Sequence, residues 1–368
     1  MSDRIKLAVI FGGRSGEHEV SLMSARSVLA VLDSQKYEVT QIGITPQGAW
    51  LGGEAVIDHF ERKEYLSLFP VTLLPEPRKG QLFIIRENQL ETLTTIDVAF
   101  PLVHGTFGED GTLQGLLELA DLAYVGGGVL ASAVGMDKSL FKDVMLANGI
   151  PVVDSILLTR QQLEDDLPRA MALVEQTLTY PVFVKPVNLG SSVGITKCSN
   201  HSCLMEGLLD AARFDRRVLV ERGINAREIE VSVLGNEDPI ASIPGEIQPQ
   251  EEFYTYSAKY ISNESKLIIP AELDEETAKN IRQTAIKAFK AIDGAGLARV
   301  DFLLDRETGK FYLGEVNTIP GFTSISMYAK LWQASGIPYT AVIDKLIELA
   351  LQRKQERDKT VRTYRRDE

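Results

Sequence analysis

The sequence predicts a protein of mixed class, α/β in its first third and α+β in the remainder. Its 368 residues exceed what one ordinary hydrophobic core accommodates, so two or three domains are expected. Over residues 1–125, apolar runs alternate with stretches of helical periodicity, which is typical of a sheet covered by helices. Shorter strands and helices then follow in a less regular order, and they end in a hairpin and C-terminal helices.

In the α/β part, residues Lys6–Phe11 predict a buried strand that the glycine turn GGRSG closes. A helix follows, and its apolar residues recur at helical spacing: Leu22, Ala25, Leu29 and Leu32. The runs YEVTQIGI and TIDVAFPLV predict two further strands. The intervening residues 46–95 are rich in proline, glycine and charge, so we expect them to elaborate this domain.

The α+β part begins near YVGGG. Residues 138–148 predict a helix that Gly149 ends, and the strand VVDSILL and a longer helix over 160–177 follow. Two short strands flank PVNLGSSVG, and a helix near 200–213 precedes the strand RVLVE. The strands EIEVSVL and PIASI come next, then a loop-like stretch at 246–266, a helix beginning at DEET and the hairpin ARVDFLLDRETGKFYLGEVN.

Composition and charge limit the classes of ligand and location. An apolar content of 44% describes a soluble globular protein. The net charge of −12 argues against nucleic acid as the main ligand, because a phosphate backbone selects a basic face. It leaves open a small phosphate ligand held by a few lysines. The start MSDRIKLAVIF runs directly into a strand, so we expect a cytoplasmic protein without a membrane segment. Cys198 and Cys203 are expected to be plain thiols.

The hairpin near the C-terminus carries the first cluster of functional side chains. Glu315 and Asn317 lie two residues apart on one strand, so both point to the same face. Asp301 lies on the other strand, with Arg299 on its face, and antiparallel pairing brings the three oxygen ligands together. Two carboxylates and an amide suit a hard cation such as the Mg²⁺ of a nucleotide. A solvated strand face is the simpler alternative.

The stretch FVKPVNLGSSVGI carries a second cluster. Lys185 ends a strand, and the flexible loop Gly190–Gly194 follows. Glycines allow backbone N–H groups to approach a phosphate closely, and hydroxyls add donors. The lysine precedes the loop, so this is not a Walker A motif. Alone, such a loop is usually a turn, but a second lysine, Lys138 in GMDKSLFK, and the hairpin favour a phosphate site.

Four further polar residues have both a structural and a functional interpretation. Glu221 and Glu228 in LVERGINAREIEVSV are either surface acids or partners of an adenine amino group and a ribose. Glu17 in FGGRSGEHEVS either caps a helix or holds out a carboxylate to a substrate amine. His104 in PLVHGTFGEDGTLQG leaves a strand into a glycine-rich loop, a place where α/β domains bind ligands, although a lone histidine is more often structural.

Taken in order, these stretches resemble the D-alanine–D-alanine ligase family of the ATP-grasp superfamily. The motifs that carry the resemblance run from residue 7 to residue 328: FGGRSGEHEVSLMSA, PLVHGTFGEDGTLQG, GMDKSLFK, VKPVNLGSSVGI, EEFYTYSAKY, ARVDFLL and GEVNTIPGFTSISM. Only residues 46–95 match weakly. The resemblance implies a three-domain ATP-grasp fold with an N-terminal Rossmann-like (pre-ATP-grasp) domain. It implies an N-terminal substrate domain at 1–125 and ATP-grasp subdomains at 126–215 and 216–368, the last with the metal site.

The resemblance also implies which residues bind the nucleotide and the metal. Asp301, Glu315 and Asn317 match the ligands of two Mg²⁺ ions, for which Mn²⁺ would substitute, with Glu315 bridging them. Lys138, Lys185 and Ser192 match residues that bind the phosphates of ATP, and Lys259 matches the residue that reaches the transferred phosphate. Glu221 and the backbone through Ile224 match the residues that bind adenine, and Glu228 matches the one that binds the ribose.

The substrate and catalytic residues follow from the same resemblance. Glu17 matches the residue that holds the ammonium of the first D-alanine, and His104 lies near its carboxylate. The remaining matches complete the site: Ser191 and Tyr260 as partners of Glu17, Arg299 and the Gly321 backbone N–H as an oxyanion site, Ser326 on the carboxylate of the second substrate, and Met327 beside it.

The activity implied is ATP-dependent ligation of two D-alanines through an acyl phosphate, for peptidoglycan precursor synthesis, by a cytoplasmic homodimer. The segment EEFYTYSAKYISNESK is expected to be a closing loop. A D-Ala–D-Lac or D-Ala–D-Ser ligase of the resistance type is the alternative enzyme. The intact Lys259-Tyr260 pair and Met327 favour the ordinary ligase. A nucleotide-binding sensor without activity is the alternative class, and the complete metal-ligand set argues against it.

Overall fold

The computed structural model describes residues 4–77, 80–87, 89–190, 193–248 and 266–361. These residues form three β-sheets with helices packed on them. Within the described ranges, no helix has an apolar stretch long enough to cross a membrane.

The first sheet has eight strands in the order β6-β5-β4-β3-β2-β1-β7-β8. Its elements are β1 Ile5–Gly12, α1 His18–Leu29, β2 Tyr37–Ile44, β3 Trp50–Gly52, α2 Val56–Arg62, β4 Phe69–Leu73, β5 Gln81–Arg86, β6 Gln89–Thr95, β7 Val98–Pro101, α3 Thr112–Leu119 and β8 Ala123–Tyr124. Strand β1 pairs in parallel with β2 and β7, as expected for an α/β domain. Residues 46–95 supply the antiparallel strands β3 to β6, so the region that the sequence left unassigned extends this sheet.

The second sheet has four antiparallel strands in the order β11-β10-β12-β9. Two helices lead to this sheet, α4 Val129–Met136 and α5 Lys138–Ala147. The sheet and its own helices are β9 Ser155–Thr159, α6 Arg160–Thr177, β10 Val182–Pro186, β11 Thr196–Cys198, α7 His201–Phe214 and β12 Arg217–Arg222. Helix α5 ends before Gly149, whose φ of +64° suits glycine. Strand β9 begins three residues later than predicted, because Val152 instead forms a bridge to Leu313 in the third sheet.

The third sheet has six strands, five of them in the order β16-β15-β13-β17-β18, with β14 paired to β13. Its elements and the helices around it are β13 Ala226–Gly235, β14 Ile240–Ala241, β15 Gly245–Gln248, β16 Lys266–Ile268, α8 Glu275–Ala291, β17 Gly296–Asp305, β18 Phe311–Asn317, α9 Met327–Ala334 and α10 Tyr339–Asp358. The ends of the stretch predicted as a loop at 246–266 are therefore strands, and Gln248 pairs with Lys266. Residues 249–265 lie outside the described ranges.

One apolar cluster joins the first sheet to the C-terminal helices. Phe11 and Phe100 of the first sheet share it with Phe322, Trp332 of α9 and Leu346 of α10, and all five side chains are buried. Burial of large apolar side chains contributes about 1.5–3 kcal/mol each. The C-terminal helices thus fix the N-terminal sheet against the third sheet, and the domain boundaries at 125 and 215 remain a prediction.

Candidate active site

The β17–β18 hairpin brings the three predicted metal ligands together. Asp301 pairs directly with Glu315, and Arg299 pairs with Asn317, so all four side chains share one face. The Asn317 Nδ2 donates to Asp301 Oδ2 at 3.0 Å and to Glu315 Oε1 at 3.1 Å. The side chains predicted from period-two spacing are therefore within hydrogen-bonding reach of one another.

Arg299 links this hairpin to strand β13. Its guanidinium donates to both carboxylate oxygens of Asp301, at 2.8 and 2.6 Å, and its Nε lies 3.1 Å from Glu230 Oε2. Glu230 stands opposite Asp301 on the neighbouring strand. Burial opposes the charge, but the two carboxylates keep the pKa of Arg299 well above its usual value. One fixed cation thus lies beside a row of acids that crosses three strands.

The donor set on this face suits a hard cation. Asp301, Glu315 and Asn317 offer carboxylate and amide oxygens, which Mg²⁺ prefers. In the part of the chain that the structure describes, no three His, Cys, Asp or Glu side chains gather in a metal-binding arrangement. A cation held here would therefore depend on the amide and on oxygens supplied by a ligand or water as well as on the two acids.

A second charged group lies in the four-stranded sheet. Glu221 on β12 is buried and accepts from the Lys142 Nζ at 2.6 Å and from the Lys185 Nζ of strand β10. Burial raises the pKa of Glu221, but the charges of Lys185 and Lys142 outweigh it and lower the pKa to about 2. Glu221 is therefore ionised in the folded protein.

Lys138 connects this sheet with the glycine loop. It is the first residue of α5, and its Nζ donates to the Leu189 carbonyl at 2.6 Å. Asp137 caps the helix by accepting from the backbone N–H groups of Ser139 and Leu140, and Arg217 pairs with Asp137. Lys138 thus contacts the chain just before the glycine loop, and Lys185 lies on the strand that leads to it.

Two predicted nucleotide contacts lie where β12 passes into β13. Ile224 is in the short connection between these strands and is half-buried. Glu228 lies on β13, opposite Leu303 and Ile247, and is also half-buried. Both follow Glu221 within seven residues of sequence.

Glu17 does not cap helix α1. It occupies the position before the helix, but its side chain makes no capping hydrogen bond. Instead its carboxylate lies against two glycines: a Cβ at Gly105 would be 2.5 Å from Glu17 Oε2, and one at Gly190 would be 3.0 Å from it. The simple capping interpretation is therefore wrong, and Glu17 joins the loop after His104 to the glycine loop.

His104 is buried and uses both ring nitrogens. Its Nδ1 lies 2.9 Å from the Ile319 carbonyl, and its Nε2 lies 2.9 Å from the Ser24 Oγ. Burial lowers the pKa of His104, which favours the neutral ring. An Nδ1–H tautomer donates to Ile319 and accepts from Ser24. The Ser24 Oγ in turn accepts from the Phe322 N–H at 3.1 Å, so the histidine orients the loop at 318–326.

That loop holds the residues predicted for the second substrate. The Ser326 Oγ accepts from the Thr323 N–H at 3.0 Å and lies 2.7 Å from the Thr323 Oγ1. A Cβ at Gly321 would be 3.6 Å from the same Ser326 oxygen. Met327 follows as the first, buried residue of α9. The predicted oxyanion position at Gly321 and the predicted carboxylate-binding hydroxyl are therefore adjacent.

Sequence reasoning missed four residues at this site: Ser24, Glu109, Lys142 and Glu230. The Glu109 Oε1 accepts from the Gly105 N–H at 2.8 Å and lies 3.8 Å from the His104 Nδ1. Burial, and then the charge of Glu17, raises the pKa of Glu109 to about 8. The one available signal was its position between two glycines in GTFGEDG. Of the predicted residues, Ser191, Ser192, Lys259 and Tyr260 lie outside the described ranges.

Each of the two antiparallel sheets carries one charged group: the four-stranded sheet carries Lys185 and Glu221, and the six-stranded sheet carries the acidic hairpin. With the mixed N-terminal sheet, whose strands β2, β1, β7 and β8 pair in parallel, they make up the ATP-grasp fold of carboxylate–amine ligases. A family model described as the D-ala D-ala ligase N-terminus matches residues 6–127, and one described as the D-ala D-ala ligase C-terminus matches residues 144–348. The chain belongs to the D-alanine–D-alanine ligase family.

Individual relatives agree with this assignment over nearly the whole chain. A D-alanine–D-alanine ligase of Acetivibrio thermocellus is 50% identical, covering 96% of this chain and 97% of that one. The solved D-alanine–D-alanine ligase of Coxiella burnetii is 38% identical, with a TM-score of 0.84 and 97% of each chain covered. The solved VanG D-Ala:D-Ser ligase of Enterococcus faecalis is 36% identical with the same TM-score of 0.84, covering 95% of this chain and all of that one.

Proposed function

We propose that this enzyme joins two molecules of D-alanine into D-alanyl-D-alanine, with ATP as the energy source and an acyl phosphate as intermediate, for peptidoglycan precursor synthesis. The observation that carries the proposal is the in-register pairing of Asp301 with Glu315, with Asn317 bonded to both, in a chain of this family. It acts, on this proposal, in the cytoplasm and as a homodimer, which rests on the family resemblance alone.

The chemistry of the reaction explains why the lysines beside the glycine loop and the acidic hairpin are both needed. A carboxylate oxygen is a poor leaving group, so the first D-alanine accepts the γ-phosphoryl group of ATP before the amine attacks. Two bound Mg²⁺ ions would neutralise the charge that develops on the phosphates. Lys138 and Lys185 bind the phosphates, and Asp301, Glu315 and Asn317 hold the metal. Glu221 and the backbone through Ile224 take adenine, Glu228 takes the ribose, and Ser192 and Lys259 complete the set.

The two amino acid sites lie on either side of the reacting carboxylate. Glu17 holds the ammonium of the first D-alanine, a role supported by its position against Gly105 and Gly190. Arg299 and the Gly321 N–H stabilise the oxyanion that forms when the amine attacks. Ser326 binds the carboxylate of the second D-alanine, beside Met327.

The resemblance implies that His104 lies near the carboxylate of the first D-alanine, and we propose in addition that its main role is to orient the backbone. Because both ring nitrogens contact the protein, it acts near the first carboxylate mainly by orienting the Ile319–Phe322 backbone. Ser191 and Tyr260 are proposed, on sequence grounds, to complete the hydrogen-bonded set around Glu17.

The test is ADP release by the purified protein with Mg-ATP and a series of acceptors. We expect turnover and dipeptide with D-alanine, and little with D-lactate, D-serine or no added amino acid. Faster turnover with D-serine would assign this chain the activity named for the Enterococcus faecalis relative. If no acceptor causes ADP release, the chain would be a nucleotide-binding protein without ligase activity.

A further inference from the structure

The buried carboxylate of Glu221 is shared between two lysines that differ in their surroundings. The Lys142 Nζ lies 2.6 Å from Glu221 Oε1 and donates to the Val153 carbonyl at 2.8 Å. Lys185 contacts the other oxygen, Oε2. Each oxygen of Glu221 therefore has its own ammonium partner.

The exposure of the two lysine side chains separates their roles. The Lys142 side chain is 6% exposed and that of Lys185 is 22% exposed. Lys142 projects from α5 one turn after Lys138, and the Val153 carbonyl anchors its ammonium inside the protein. Lys185 is the penultimate residue of strand β10, five residues before Gly190 of the glycine loop, and its greater exposure leaves it open to a ligand. Only Lys185 is thus placed to exchange Glu221 for a phosphate.

That exchange creates an electrostatic requirement. A buried carboxylate that loses its partner either becomes protonated or retains the cation, because an uncompensated charge in the interior is costly. If Lys185 were the sole partner of Glu221, phosphate binding and an ionised Glu221 would compete for it. Burial lowers the pKa of Lys142, and the charge of Glu221 opposes that effect. Lys142 therefore supplies a second positive charge that stays on Glu221, and this removes the competition.

We propose that Lys142 is a positioning residue for the nucleotide: it fixes the Glu221 carboxylate and keeps it ionised while Lys185 binds phosphate, and so selects a 6-amino purine. This rests on the proposed function, in which Glu221 accepts from the adenine amino group. A purine with a carbonyl at that position turns an acceptor toward the fixed carboxylate and is rejected. Adenine and the carboxylate are complementary only while Glu221 carries its charge.

The experiment compares binding of ATP and of inosine triphosphate, with Mg²⁺, to wild type, Lys142→Met, Lys142→Arg and Lys287→Met by calorimetry. Lys142→Met keeps an unbranched side chain only one atom shorter but removes the charge. Lys287→Met is the matched control, since Lys287 is an exposed lysine of α8 outside the site. Urea unfolding of each variant reports whether the fold is retained.

Lys142→Met is expected to weaken ATP binding about 10- to 100-fold, as for the loss of a charge-assisted hydrogen bond, while inosine triphosphate binding changes much less. Lys142→Arg, which keeps the charge, should recover most of the selectivity, and Lys287→Met should match wild type. An unchanged ratio of the two affinities in Lys142→Met would overturn the proposal, even if that variant were less stable. If Lys142→Met failed to fold, a Lys142→Arg protein with wild-type stability but no preference for ATP would overturn it as well.

The proposed function has a separate readout in the same proteins. If wild type forms the dipeptide and Lys142→Met keeps the wild-type preference for ATP over inosine triphosphate, the positioning role is refuted and the ligase assignment stays intact. A wild-type protein that binds ATP selectively but makes no dipeptide would refute the ligase assignment alone.

Discussion

Replacing Ser24 with alanine removes the hydroxyl through which helix α1 holds the loop at 318–326. In wild type, this oxygen contacts the His104 Nε2 at 2.9 Å and accepts from the Phe322 N–H at 3.1 Å. The relative exposures of Ser24, His104 and Phe322 are 0%, 2% and 1%, so water cannot replace the missing hydroxyl. The variant therefore leaves a buried N–H and a buried ring nitrogen without this partner.

The expected loss of stability follows from those two groups. An unsatisfied buried polar group costs about 1–3 kcal/mol, and the two are coupled through one oxygen, so we expect a total of about 2–4 kcal/mol. Because His104 and Phe322 position the loop that carries Gly321 and Ser326, the KM for the acceptor D-alanine should rise. The KM for ATP should change less, since Lys185 and Glu221 are on strands β10 and β12 rather than in this loop.

Ser27→Ala is the matched control, because Ser27 lies one turn further along α1 and contacts the same loop. The Ser27 Oγ accepts from the exposed Ser324 N–H at 3.1 Å and lies 3.2 Å from the Tyr339 hydroxyl. Water can replace these bonds, so the cost should be below about 1 kcal/mol. Urea unfolding and steady-state kinetics of both variants provide the measurements. Equal losses of stability and equal acceptor KM values in the two variants would refute the reasoning.

Three other predictions concern the charged groups and the acceptor. Glu315→Gln should abolish Mg-ATP turnover and leave the circular dichroism unchanged, because it removes a ligand charge without changing shape; near-normal turnover would contradict the metal assignment. Glu109 has a pKa raised from 4.5 to about 8, so folding takes up a proton between these values and wild-type stability falls as pH rises. Glu109→Gln should therefore become more stable relative to wild type from pH 5 to pH 8, by on the order of a few kcal/mol, and a constant difference in urea unfolding would refute this. Tyr260→Phe should lower the preference for D-alanine over D-lactate as acceptor several-fold, since the hydrogen bond proposed for its hydroxyl would contribute about 0.5–1.5 kcal/mol; an unchanged ratio of kcat/KM values would exclude a role in acceptor choice.

Local patterns were sufficient for the parts of the structure that local forces determine. Period two in GEVN predicted that Glu315 and Asn317 share a face, and the register of the hairpin added Asp301 to it. The helix predicted over residues 138–148 and ended by Gly149 is α5, which spans Lys138–Ala147. The ATP-grasp fold followed from the order of the motifs rather than from any single one.

The sequence did not predict features that depend on distant contacts. Residues 46–95 offered only short apolar pieces, and β6 is largely exposed, so its strand pattern is weak. His104 contacts Ser24 and Ile319 across 80 and 215 residues of sequence, and no local pattern reports such pairs. The same holds for the burial of Lys142 on α5, since Glu221, the partner that compensates its charge, is on strand β12. A lysine in an amphipathic helix is read from sequence as exposed.

The central claim is that the carboxylate of the first D-alanine is activated by phosphorylation, and an isotope measurement tests it directly. In that reaction a carboxylate oxygen bonds to the γ-phosphorus as ADP leaves, and attack by the amine of the second D-alanine then breaks the bond between this oxygen and carbon. The protein is incubated with Mg-ATP and D-alanine labelled with ¹⁸O in its carboxylate, and the phosphate and dipeptide are analysed by mass spectrometry. We predict one labelled oxygen in each phosphate released and one D-alanyl-D-alanine for each ADP. Unlabelled phosphate accompanying the dipeptide would contradict the acyl phosphate route.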